Sequence, residues 1–228
     1  MNRYVVSLVL LLWSASGICA ERTTVDLGGS RSIVVPIPDG FRALGNVSPG
    51  YRAYSENLEP PSLVLLEVFL TDKELSDVVA GYSYSRERGL EMTSPRSAFG
   101  REIDGPAFEH AVASVRTNQA FPSEAEKWVN DFVANKPQQF AGSPPQASDA
   151  MLIGKFLDKP DAVVTTTCAF IAKGTGPTKV CVAQVILHVS GRAVFLDVTA
   201  EVHSKADIDW AKATAISWES RIVAENPS

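Results

Sequence analysis

Residues 162–202 read AVVTTTCAFIAKGTGPTKVCVAQVILHVSGRAVFLDVTAEV, three β-rich runs broken at two short turn-forming spots. The second break, Val189-Ser190-Gly191-Arg192, sets a small polar residue and a glycine between two alternating apolar segments, the composition of a two-residue hairpin turn whose central residues take positive φ. With Val189 opposite Arg192, Leu187 meets Val194, Val185 meets Leu196, Ala183 meets Val198 and Cys181 meets Ala200. All of these pairs but the turn pair are apolar. The other face carries Gln184 and His188 on one strand and Asp197, Thr199 and Glu201 on the next, so one side of the ribbon is expected to be buried and the other largely wet. A slip of one residue would exchange the two faces.

The first break, Lys173-Gly174-Thr175-Gly176-Pro177, separates 162–172 from 178–189 in the same way. Placing Lys173 opposite Gly176 puts Cys168 directly across from Cys181. After the meander, Ser204 and Asp207 form a capping box, and Ile208, Ala211, Ala215, Trp218 and Ile222 step by three and four. A C-terminal amphipathic helix is therefore expected across the apolar face of the sheet.

Upstream the chain is a mixture. Residues 23–27 and 32–37 flank Gly28-Gly29-Ser30 as a first hairpin, and Pro38-Asp39-Gly40 turns the chain to Phe41. Tyr51 and Tyr54 mark a short helical turn. Residues 62–70, SLVLLEVFL, read as a central strand covered on both faces, with Glu67 as its anomaly. That Glu67 lies near an edge, or pairs with an arginine such as Arg86 or Arg88, is favoured there over catalysis. Thr71 or Asp72 caps a short helix ending at Gly81, and residues 82–92 alternate as another strand.

Asp104-Gly105-Pro106 starts a helix with Phe108, Ala111, Val112 and Val115 as its stripe. Ser123 and Glu126 cap a second one, bearing Ala125, Trp128, Val129, Phe132 and Val133. Residues 137–149, PQQFAGSPPQASD, form a loop expected to be flexible, and Met151–Leu157 a strand. The fold class that follows is α+β: a single large, mostly antiparallel sheet, the C-terminal helix on one face, and an inserted helical pair.

The N-terminus fixes the expected compartment. Arg3, an apolar core through Trp13 and the small-residue segment Ser14-Ala15-Ser16-Gly17 make residues 1–20 a secretory signal peptide, cut after Ala20 or Gly17. Lipid anchoring through Cys19 is disfavoured, because Ile18 is bulky and Ser16 stands where leucine is preferred. Losing Arg3 and no acidic residue moves the formal charge from −5 to −6, which disfavours nucleic acid as a partner. Without a second long apolar segment, the mature chain, 21–228, is expected to be one periplasmic or secreted domain with no stable membrane insertion.

Cleavage after Ala20 leaves only Cys168 and Cys181, an even count in an oxidising compartment. The register and the compartment together predict a disulfide, with two buried thiols as the alternative.

The residues carry little recognisable chemistry. His110, His188 and His203 are scattered, with no HExxH and no paired CxxC, and no GxSxG elbow marks a nucleophile. No residue is therefore assigned a catalytic, cofactor-binding or metal-binding role. Gln184 opposite Asp197, with His188 and Glu201 nearby, is the one polar constellation, for which a solvated face is the preferred explanation.

The early strand running into Pro38-Asp39-Gly40-Phe41, the meander ending in Ala193–Val202, and the terminal helix with Trp218, Ile222 and Asn226 resemble the PsbP-like and DcrB-like small exported α+β domains. That resemblance implies a non-catalytic accessory or binding role. Two functions follow as expectations. The first is an exported binding protein acting through a protein or envelope component, with inhibitors and immunity factors as examples of the role. The second is a small hydrolase whose site the sequence does not mark.

Overall fold

The computed structural model describes residues 21–45, 47–81, 87–117, 147–173 and 176–227. Its elements in chain order are β1 (Arg22–Asp26), β2 (Ser32–Pro36), β3 (Phe41–Ala43), α1 (Pro49–Leu58), β4 (Leu63–Thr71), α2 (Asp72–Val79), β5 (Arg88–Pro95), α3 (Gly105–Arg116), β6 (Ala147–Lys159), β7 (Ala162–Lys173), β8 (Gly176–Val189), β9 (Arg192–Glu201) and α4 (Lys205–Glu225). The fold is α+β. Seven strands form one antiparallel sheet in the order β3-β4-β5-β9-β8-β7-β6, and β1 and β2 pair separately as a hairpin. No helix among the described residues is long and apolar enough to cross a membrane.

The meander takes the register expected of it. Val189 faces Arg192, Leu187 faces Val194 and Cys181 faces Ala200, while Lys173 faces Gly176 and Cys168 faces Cys181. Ser190 and Gly191 both have positive φ, 50° and 70°, the left-handed pair that matches strand twist in a tight hairpin. The Cys168 and Cys181 sulfurs are bonded, closing a loop of sequence separation 13.

The front face of the sheet is the main core. Val185, Leu187, Val194, Leu196 and Val198 are fully buried beneath Ala211, Ala215, Trp218 and Ile222 of α4. Ile208, expected in that stripe, is only half-buried near the helix start. Trp218 anchors the packing twice: its ring meets Phe69 edge-on at 5.1 Å, and its indole N–H donates to the Pro36 carbonyl at 2.9 Å. Asn226, just past α4, accepts from the Val34 amide at 2.9 Å and donates to the Val34 carbonyl at 2.7 Å. Its side chain thus imitates a strand residue beside β2 and fastens the β1–β2 hairpin to the helix end.

The back face departs from the expectation of a wet surface. Asp104 caps α3, accepting from the Ala107 amide at 2.8 Å, and Phe108 and Val112 then bury against Val163, Ile186 and Ala193. Farther along the same face, α1 and α2 cover β4, where Leu65, Val68 and Leu70 pack with Leu44, Tyr51, Leu75 and Val78. Ile186 and Val163 are apolar on the side of their strands read as polar, and that is where α3 lands.

Three boundaries also move. The turn around Tyr51 and Tyr54 is a full helix, α1, capped by Ser48 with Pro49 in its first turn. The strand read over residues 82–92 runs Arg88–Pro95, because its ladder with β4 continues to Leu63 opposite Pro95; residues 82–86 lie outside the described residues. Strand β6 begins at Ala147, since long β7 still offers partners there, Ala147 facing Ile171. The rest of the 137–149 loop, the Ser123-capped helix, the signal segment 1–20 and Cys19 lie outside the described residues.

Candidate functional site

Glu67, the anomaly of the central strand, is buried in β4 at a bulge between Leu65 and Glu67, which turns its carboxylate toward the segments that cover β4. Its Oε1 accepts from the Gly45 amide at 3.1 Å and the Val68 amide at 3.0 Å, with the Arg52 guanidinium 3.8 Å away. The cation comes from α1, not from Arg88 as expected: Arg88 lies 3.7 Å from Asp207 and over the Trp210 ring at 4.4 Å. Arg86 lies outside the described residues. Glu67 is thus held by two amides and a cation, the bonding of a structural carboxylate.

The histidines do not converge. His188 stacks on Phe108 at 5.2 Å with its Nε2 2.7 Å from the Ile103 carbonyl, so it fixes the approach to α3. His203 is exposed beside Glu201 at 3.8 Å, and His110 is exposed on α3. Among the described residues no three His, Cys, Asp or Glu side chains group as metal ligands would.

The polar constellation on the meander does form, with one partner the sequence did not supply. Gln184 Nε2 donates to Asp197 Oδ1 at 2.9 Å. The register of the sheet extends that pair into a row, Val68, Glu91, Asp197, Gln184, Thr165 and Lys155, lying directly across the sheet from β4 to β6. His188 and Glu201 are not part of it. Removal of the Asp197 carboxyl from water, aided by Glu91 beside it, raises its pKa to about 7 against the opposing Gln184 hydrogen bond. Thr165 is buried next in the row, and its Oγ1 has no hydrogen-bond partner among the described residues. The row holds an acid that titrates near neutrality and the Thr165 hydroxyl but no histidine, so it lacks the general base of a triad.

What α4 and the hairpin leave uncovered is the outer end of the front face. Met151 lies opposite Cys168, and Phe170 stands two residues beyond Cys168 on the same face of β7. They are 54% and 41% exposed, beside the disulfide. Phe156, 38% exposed in a bulged stretch of β6, has the Lys212 ammonium of α4 at 3.8 Å over its ring. Sequence reasoning missed this surface, although MLIGKF placed two of the side chains in a strand. What was not legible was that β6 would be the last strand of the sheet.

No protein-family model matches the chain, and no curated protein matches it. Among solved structures it is similar to the Ran-binding protein Mog1p of Saccharomyces cerevisiae, at 9% identity and a TM-score of 0.38, covering 90% of this chain and 94% of that one. A mutant form of Mog1 gives 8% identity and a TM-score of 0.37 over the same shares. Nothing about site or partner follows from likeness at that level.

Proposed function

We propose that the chain is an exported, non-catalytic binding protein that works through a protein or envelope-component partner, with the outer end of the sheet as its contact surface. The observation that carries this is the exposure of Met151 and Phe170 near each other on the two outermost strands, with Phe156 exposed farther along β6 beside α4. Single exposed apolar residues are ordinary; several large ones sharing a face are a feature of interaction sites. Their support is stiff, because the disulfide ties β7 to β8 under the patch, and a stiff surface lowers the ordering cost of binding. Export is supported by the signal-like segment and by the oxidised cysteine pair, which suits a compartment outside the cytosol. The role agrees with what the PsbP-like and DcrB-like resemblance implies.

The test is capture from the host's envelope extract by residues 21–228, wild type against a Met151→Asp, Phe170→Asp double variant of unchanged melting temperature. A stoichiometric partner retained by the wild type and weakened at least about tenfold by the variant is expected. Setting two carboxylates where two large apolar side chains would be buried costs more than the roughly 1.4 kcal/mol that a tenfold change represents. Equal retention by both proteins would overturn the assignment of the surface.

A further inference from the structure

A groove of about 300 Å³ runs between one side of α4 and the turn that joins β2 to β3. Its apolar wall is Phe41, Trp210 and Trp218, and its polar wall is Asp39, Ser217 and Arg221. At about 100° per residue, positions 210, 213, 217 and 221 lie on one side of the helix and Lys212, which covers Phe156, on the other. The groove is therefore separate from the outer apolar surface and stands whether or not that surface docks a partner.

Its walls are set in advance. Trp210 is stacked on Phe41 at 6.3 Å with an interplanar angle of 25° and is held by the Arg88 guanidinium. Trp218 is tied to the Pro36 carbonyl. The two charged groups are differently placed. Arg221 is half-buried and spends one donor, Nη2, on the Ile37 carbonyl at 3.2 Å; it has no ion-pair partner among the described residues. Asp39 is exposed, lines the same groove and likewise has no ion pair among the described residues, even with Arg221. One groove thus presents a cation and an anion that form no ion pair with each other, together with an aromatic wall.

An anion alone would meet Asp39, and a cation alone would meet Arg221. A ligand bearing both charges meets neither penalty, because each end finds its complement. We propose that this groove binds a small zwitterion with an apolar side chain, a free hydrophobic amino acid, its carboxylate on Arg221, its ammonium on Asp39 and its side chain against Phe41 and Trp210. The volume lies at the small end of ligand cavities, which fits one such molecule.

Calorimetric titration of residues 21–228 with L-phenylalanine, phenylalaninamide and N-acetylphenylalanine separates the two charged ends without altering the protein. Phenylalanine is expected to bind, and each capped analogue to bind about tenfold or more weakly, the scale of one lost charge-assisted hydrogen bond. Arg221→Gln should abolish the discrimination against the amide, and Asp39→Asn the discrimination against the acetylated form. Arg221→Lys, which keeps the charge, guards against a folding effect of losing the Ile37 contact and should retain preference for the carboxylate. Absence of phenylalanine binding up to about 20 mM, a level far weaker than any useful small-ligand affinity, would overturn the proposal. Equal binding of all three compounds would overturn it as well.

Discussion

Asp197 carries the clearest single-residue consequence. Its carboxyl titrates near 7 in the folded chain and near 3.8 when unfolded, so between those values the folded state holds a proton that the unfolded state has released. Stability therefore falls as pH rises from about 4 to about 7 and loses nothing more from this group above that. Asp197→Asn removes the titration while keeping an acceptor for Gln184. It should leave the melting temperature unchanged near pH 4 and raise stability by about 2 kcal/mol at pH 8, less than the full value of about 1.4 kcal/mol per pH unit because the surroundings relax around the charge. Thermal melts at the two pH values check it; a gain at the acid end would contradict the assignment. A second residue, Glu219 of α4, is fully buried and accepts from Lys159 at 3.0 Å through each oxygen, with the Ser220 hydroxyl donating at 2.9 Å. Lys159→Ala strands a buried carboxylate and should cost about 3 kcal/mol, whereas Glu219→Gln, which leaves a neutral acceptor for Lys159, should cost about 1 kcal/mol. Denaturant melts of the two variants should keep that order.

At the scale of elements, α4 joins the two sheets, and its two fastenings can be cut separately. Trp218→Ala empties the centre of the front face and should cost about 3–5 kcal/mol in a denaturant melt. Asn226→Ala removes the two bonds to Val34 and should cost about 1–2 kcal/mol, with the loss of amide-exchange protection confined to the β1–β2 hairpin and the end of α4. The elements that carry these effects were legible because their patterns are local. The capping box at Ser204 and Asp207, the i, i+3, i+4 stripe through Trp218, and the small turn at Ser190-Gly191 each fix neighbours in sequence. The buried Glu219 also stood at i+4 from Ala215, on the edge of that stripe, but a lone carboxylate there reads as solvated until Lys159 is known to reach it. The row through Glu91, Asp197 and Gln184 was only half legible, because β5 reaches β9 across a long stretch of chain and no local pattern encodes such a pairing. The covering of the back face by α3 was missed for the same reason: apolar Ile186 and Val163 were present, but nothing near them in sequence says which helix they meet.

For the molecule as a whole, the fold class followed from patterning, while the surfaces did not. Which strand ends a sheet, and what remains open beside it, are set by the order of all seven strands, so Met151, Phe156 and Phe170 could be placed in strands and yet not be seen to be exposed. The same holds for the groove, whose walls come from residues 38–41 and from α4, far apart in the chain. The bridge connects the register of the meander with export: the register sets Cys168 across from Cys181, and an oxidising compartment is what would keep them bonded. The bridge closes a short loop and should contribute about 2–3 kcal/mol by chain entropy, read as the loss of stability on reduction. Intact-mass spectrometry of the protein recovered from its host's envelope fraction, alkylated without reduction, tests export and the bridge at once. The expected result is a mature chain beginning at Glu21 with no alkylated cysteine; a chain that retains residues 1–20, or a mature one carrying two alkylated thiols, would contradict it.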